Sequence, residues 1–389
     1  MMCMRKILDL IRKHELYVFI LLGIIFLRIP NLFEPYWYGD EAIYLTLGTG
    51  LRHGLLLYRD IIDHKTPIIY LLAMTPSVFW FKLLFMGWMA GTFTAFYAIT
   101  KRLMTNTWAQ AVSLILFALL TTLPWFEGHI ANGELFLMGF ILTGIAFFVH
   151  SPMYAAFEHH HKTFDRCHLL MFATGVCFSL GILTKVPAIF DAAAVATVFG
   201  FVFLSSLKQK TLVQLLTHGL MLLAGIATPI VLSIAFFALN NATQYYAQFG
   251  WLYNFRYSNS FSVPVENLIL KFLFGMTGKA LVVAGSGVVV ILLQKVLRPT
   301  YRFIFMWFMF ALFATLISSR PYPHYFIQIL PPLALLVGLL LTKWKIIEKF
   351  LGIGVIAVWI WAMLLIQTGM YGVSEYYSNF FEYMTKKVS

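Results

Sequence analysis

Charge is what this 389-residue chain has little of: Asp, Glu, Lys and Arg together make up 11% of it. So few ionised groups against a hydrophobic content of 60% exclude a soluble domain. Cysteine is scarcer still. Cys3, Cys167 and Cys177 are too few and too scattered for a disulfide framework, and no pair has metal-ligand spacing. Low-complexity tracts, internal repeats and soluble insertions are missing too, so residues 1–389 read as a single domain. The net charge of +12 does not imply a nucleic-acid partner. Its lysines and arginines fall in short clusters between apolar runs, with no soluble basic face along which a phosphate track can lie.

What is present is apolar length. Runs of nearly twenty residues recur along the chain, mean hydropathy is +0.81, and each run is long enough to cross a hydrocarbon core as a helix. The expected fold is an all-α polytopic membrane protein with about eleven transmembrane helices. The first run, Leu16 to Ile29, ends without a small-residue cleavage pattern and is read as an anchor, not a signal peptide. Arg5, Lys6, Arg12 and Lys13 precede it and place the amino terminus on the cytoplasmic side. Threading the remaining runs puts about sixteen of the 28 basic residues inside, but only about five of the 16 acids. That asymmetry sets the sidedness of every loop.

On this threading the unusual polar residues share the outer face. A first outer loop over residues 31–82 carries Asp40, Glu41, Arg52, Arg59, Asp60, Asp63 and Lys65. Within it, Ala42 to Leu57 has helical spacing, with Tyr44, Leu47 and Leu51 on one side, and is expected to lie in the interface. A second shallow helix is expected from Thr66 to Trp80, broken by Pro67 and Pro76. Residues 240–279 form a second long outer loop, and Glu134, Lys185, Arg320 and His324 stand at other outer helix ends. Acids beside cations at a membrane surface suit one reaction class. An attacking hydroxyl or amine needs a base, here Asp40 or Glu41, while a departing phosphate needs fixed positive charge, here Lys65, Lys185, Arg320 and His324.

Other polar residues have plainer readings. Glu127 and His129 are expected to be solvated loop residues. Glu158 and His159-His160-His161 read as a hydrated inner loop, and Tyr245, Tyr246, Trp251, Tyr253 and Tyr257 as an interfacial aromatic belt. Asn241-Ala242-Thr243 matches a glycosylation acceptor pattern that is common by chance.

Trp37-Tyr38-Gly39-Asp40-Glu41 with Tyr44, then Gly54 and Asp63-His64-Lys65-Thr66-Pro67, resembles the first outer loop of GT-C membrane glycosyltransferases. The resemblance is to the protein O-mannosyltransferase and aminoarabinose-transferase group. It extends to Asn132-Gly133-Glu134, Gly181-Ile182-Leu183-Thr184-Lys185 and His324-Tyr325, about a dozen positions by motif. It implies a GT-C fold and an inverting transfer of sugar from a polyprenyl-phosphate donor, bound from the outer side, to a glycan, lipid or protein acceptor. Asp40 then takes the catalytic role, Glu134 matches a second loop acid, and Lys185 lies near the donor phosphate. Tyr44, Asp63 and His64 of the motif join the substrate-binding set. The resemblance also implies a metal-free site, with no cofactor, in an integral protein of the bacterial inner membrane. Two departures stand out: Lys65-Thr66-Pro67 replaces the family's frequent Lys-Pro-Pro, and the chain stops soon after the eleventh segment, short of the longer carboxy-terminal part of some relatives. The competing reading is a transporter or flippase of lipid-linked sugars. That reading expects ionisable groups near the bilayer midplane within related halves, a pattern absent from the sequence.

Overall fold

The computed structural model of the chain describes residues 14–35, 38–158, 168–205, 208–259, 275–318, 320, 322–342, 348–350, 352–354, 357 and 372–385. Among these the backbone is helical, and pairing between extended segments is limited to one isolated bridge, Leu57 to Ile61. The long apolar runs form α1 (Glu15–Leu27), α4 (Val78–Leu103), α5 (Thr107–Leu120), α6 (Gly133–Val149), α8 (Leu169–Ile182), α9 (Ile189–Ser205) and α10 (Gln209–Leu239). Further on come α12 (Met276–Leu292), α13 (Pro299–Leu316) and α14 (Leu330–Leu340). Between them lie the shorter α2 (Gly39–Arg52), α3 (Ile68–Leu72), α7 (Pro152–Glu158) and α11 (Tyr253–Asn259), and after them α15 (Val373–Met384).

Six described spans are long and apolar enough to cross a membrane, and a seventh follows if α6 and α7, bent by 63° at their break, count as one. α5, α8 and α12 are apolar but shorter. These helices occupy the first ten expected segments. The eleventh falls mainly on residues outside the described set, so the count of eleven is not reached. Two helix starts follow from Asn caps, whose side chain satisfies an otherwise unpaired amide. Asn106 accepts from the Ala109 amide at 3.0 Å and Asn132 from the Leu135 amide at 3.1 Å.

Helices surrounded by lipid gain little from hydrophobic burial against each other, so close packing must hold them together. α8 and α10 form the most extensive pair. They meet backbone to backbone at two glycines: a Cβ on Gly175 would lie 2.2 Å from the Leu222 carbonyl oxygen, and one on Gly225 would lie 2.1 Å from that of Phe172. α6, α13 and α14 are buried along most of their length and form the centre of the bundle. Leu216, Leu220, Leu223, Val231 and Leu232 of α10 remain exposed, as a lipid-facing surface would be.

The loop over residues 31–82 differs in detail from its expected form. The expected helix over Ala42 to Leu57 starts earlier, at Gly39, and stops at Arg52, where Gly54 at φ +83° reverses the chain. The expected shallow helix from Thr66 to Trp80 shrinks to the five residues of α3. Ser77 is extended and Val78 to Trp80 belong to the first turn of α4, because Pro76 interrupts any continuous helix there.

Candidate functional site

Asp40 and Glu41 occupy the first turn of α2, where the helix dipole favours acids. Consecutive helical residues point about 100° apart. Asp40 therefore faces a cavity while Glu41 faces the body of the protein. Glu41 is 1% exposed; its Oε1 accepts from the Ala131 amide at 2.8 Å, and Oε2 lies 3.7 Å from Nζ of the fully buried Lys82. Lys82 also lies 3.6 Å from Glu34 Oε2. Burial raises the Glu41 carboxyl above its ordinary value, against the pull of Lys82. Glu41 thus joins the loop over residues 31–82 to the loop before α6, and does not stand in the cavity as the second catalytic acid.

Asp40 is held from two sides. Its Oδ1 is 3.3 Å from Lys65 Nζ, and its Oδ2 accepts from the Tyr44 hydroxyl, one helical turn on, at 3.0 Å. Burial alone would raise its carboxyl, but Lys65, and then Lys185, outweigh burial and hold it below the usual carboxylate range. Lys65 also lies 3.9 Å from Asp63 Oδ2, over the Tyr44 ring, and its ammonium is raised by Asp40 and Asp63 against the opposing effect of burial. Asp63 accepts from the Tyr70 hydroxyl at 2.6 Å and pairs with His64 at 2.9 Å. The loop carrying Lys65 is stitched to the end of α8: Thr66 Oγ1 donates to the Ile182 carbonyl at 2.9 Å and the Ile68 amide to that of Leu183 at 2.8 Å. Lys185 follows directly, so the stitch sets its distance from Lys65. Its ammonium pairs with Glu134 Oε1 in the first turn of α6 and lies 4.6 Å over the Tyr325 ring.

Glu127 and His129 depart from the solvated reading. Both are buried, because the loop before α6 folds onto the end of α1: Arg28 donates to the Thr121 and Gly128 carbonyls, and Asn31 to that of His129 at 2.8 Å. Burial lowers His129 to about 3. Glu127 adopts the left-handed region at φ +57°, and its Oε2 meets the Tyr38 hydroxyl at 2.7 Å and His324 Nδ1 at 2.5 Å.

These groups surround a cavity of about 340 Å³. Asp40, His64, Lys65, Glu134, Lys185 and His324 supply its polar wall. Ile43, Pro187, Phe190, Phe255, Ala314 and Ile317 supply an apolar one. Of the remaining sequence candidates, Tyr44 and Asp63 stand behind Asp40 and Lys65 as their partners. Arg320 lies 4.2 Å over the ring of Tyr257, which lines the cavity. The expected aromatic belt is only partly a surface feature. Tyr245 and Tyr253 are exposed, but Tyr246 is buried, stacked on Tyr58 and Phe237. Trp37 and His159-His160-His161 lie outside the described residues. Asp191, in the first turn of α9, is a further acid beside the cavity. It is buried and accepts from Trp307 Nε1 at 2.7 Å and Gln328 Nε2 at 2.5 Å, bracing the apolar wall. Among the described residues no three His, Cys, Asp or Glu side chains group as metal ligands. Lys65 and Lys185 are the lysines on the cavity wall.

The sequence matches no protein-family model and no curated protein. The fold does have solved counterparts. It is similar to the crystal structure of ArnT from Cupriavidus metallidurans bound to undecaprenyl phosphate, with a TM-score of 0.56 at 16% identity, covering 94% of this chain and 68% of that one. This chain thus shares the fold of that structure. A weaker likeness, with a TM-score of 0.42 at 10% identity, is to the archaeal oligosaccharyltransferase AglB from Archaeoglobus fulgidus in complex with an inhibitory peptide and a dolichol-phosphate. It covers 92% of this chain and 56% of that one.

Proposed function

We propose that the chain is a membrane glycosyltransferase that moves a sugar from a polyprenyl phosphate to an acceptor hydroxyl or amine. The observation carrying this reading is the juxtaposition of Asp40 with Lys65 and Lys185 on the polar wall of a cavity whose other wall is apolar. A lipid-linked phosphate has that division of character. The undecaprenyl phosphate bound to ArnT, whose fold this chain shares, supports the same donor class. Asp40 stays ionised and acts as the base toward the acceptor. Lys65 and Lys185, with Arg320 nearby, stabilise charge on the departing phosphate. A single displacement with one carboxylate base inverts the anomeric centre. The sequence asymmetry supports an outer-face site in a bacterial inner membrane, with the amino terminus inside and residues 1–389 acting as one unit. The polar cluster, built at helix ends, favours transfer over carriage of lipid-linked sugars.

The test is Asp40→Asn in reconstituted protein, with release of undecaprenyl phosphate from undecaprenyl-phosphate sugars as the readout. Turnover should fall by about 100-fold or more while thermal stability is retained. Undiminished turnover in a folded variant rejects Asp40 as the base, and carriage of intact donor across vesicles supports the transporter reading instead.

A further inference from the structure

His324 was grouped above with the phosphate-binding cations, yet its surroundings give it another task. Its Nδ1 faces Glu127 Oε2 at 2.5 Å and the Tyr38 hydroxyl at 3.1 Å. The Tyr38 proton is committed to Glu127, to which it donates at 2.7 Å. Both oxygens therefore act as acceptors toward Nδ1, which must carry the ring proton. In neutral imidazole the lone pair is then at Nε2. A phosphate clamp has to present N–H groups to its ligand; a neutral ring held this way presents a proton acceptor instead.

The ring cannot easily exchange its two nitrogens. Tyr322 stacks on it with ring planes 12° apart, while Tyr325 and Tyr38 meet it edge-on, at 88° and 90°. Nε2 is left 3.9 Å from Glu134 Oε1, the oxygen that pairs with Lys185, and His324 and Glu134 share the cavity wall. Asp40 lines the same cavity. The groups facing the imidazole are thus Glu127, Tyr38, Glu134, Tyr322 and Tyr325, with Lys185 and Asp40 beyond them. Glu127 reaches its place through a left-handed backbone that disfavours side chains, and the surrounding loop enforces it. Its carbonyl accepts from Asn132, and Arg28 clamps the adjoining Gly128. Strain held at this position serves the carboxylate contact to Nδ1.

We propose that His324 is the proton carrier of the transfer step and that Glu127 is its positioning residue. This rests on the transferase reading. The acceptor oxygen forms a bond to the anomeric carbon, and the bond from that carbon to the phosphate oxygen breaks, its electron pair leaving with the phosphate. Asp40 draws the proton from the acceptor. Being a weak base among its cations, it passes the proton to His324 Nε2. The imidazolium then returns it to the phosphate monoester or to water, restoring the neutral ring.

The test pairs kinetics with histidine ¹⁵N NMR on the full-length protein in nanodiscs. Undecaprenyl-phosphate hexoses and pentoses serve as donors, and undecaprenyl phosphate alone as the binding probe. The wild-type spectrum should show His324 as the Nδ1–H tautomer, and Glu127→Gln should mix the two tautomers. His324→Gln should lower kcat about 100-fold or more and Glu127→Gln about tenfold, with the KM for donor and the affinity for undecaprenyl phosphate little changed. A wild-type Nε2–H tautomer would overturn the proposal. So would a His324→Gln variant that keeps its kcat, or one that loses affinity for undecaprenyl phosphate and only that. If the wild-type protein releases undecaprenyl phosphate from no donor, the transferase reading fails, and the proton role with it. Wild-type turnover with an indifferent His324→Gln sinks the proton role alone.

Discussion

Asp40 owes its charge to its neighbours. Burial works against an ionised carboxyl, and Lys65 is the largest single influence opposing it. In Lys65→Met, burial should prevail and raise the Asp40 pKa, so the acid limb of the pH–rate profile should move up by about 1–3 pH units. Stability carries the same signature. The Asp40 and Asp63 carboxyls are both lower in the folded chain than in the unfolded one. They contribute stability that is fully present above the unfolded value near pH 4 and is lost as pH falls through the lower folded values. Unfolding midpoints measured in detergent from pH 7 downward should therefore drop steeply only below about pH 4, and less steeply in Asp63→Asn. At this scale the sequence told which residues come together better than which way each one faces. Asp40, Lys65 and Lys185 stood out as charges in an apolar chain, and the cavity gathers them. Glu41 looked equivalent to Asp40, since adjacency in sequence does not reveal which way a helix is turned. Glu127 looked like loop solvation because nothing local announces that Arg28 and Asn31, about a hundred residues earlier, fold its loop inward.

Among elements, the loop over residues 31–82 depends on α2 packing against α3 without a gap. A Cβ on Gly48 would lie 2.3 Å from the Ala73 carbonyl oxygen, so even Gly48→Ala must push the two helices apart. A stability loss of about 1–3 kcal/mol is expected, together with a fall in kcat as Tyr44 and Asp40 shift. Denaturant unfolding and turnover of the same preparation check both. The long helices were legible because an uninterrupted apolar run of that length has few other fates. Short helices were less so. α2 ends where one glycine takes a positive φ and α3 where a proline intervenes, events of single residues that blur any periodicity.

For the molecule as a whole, the cavity joins a charged wall to an apolar one, and ligand binding should report on the union. Undecaprenyl phosphate without a sugar should raise the melting temperature of the wild-type protein in proportion to the logarithm of its concentration. Lys185→Ala should weaken that binding by about 10- to 100-fold, the cost of one charged contact to phosphate. An equal thermal shift in the variant would remove Lys185 from the phosphate site. The stitch between Thr66, Ile68 and the end of α8 has a wider consequence. Lys185 hangs from a helix whose glycine face is locked to α10, and α10 turns its leucines outward. A thicker or thinner bilayer that re-tilts this pair would drag one wall of the cavity past the other. Reaction rate should then track acyl-chain length in reconstituted vesicles, making the surrounding lipid a silent partner in the chemistry.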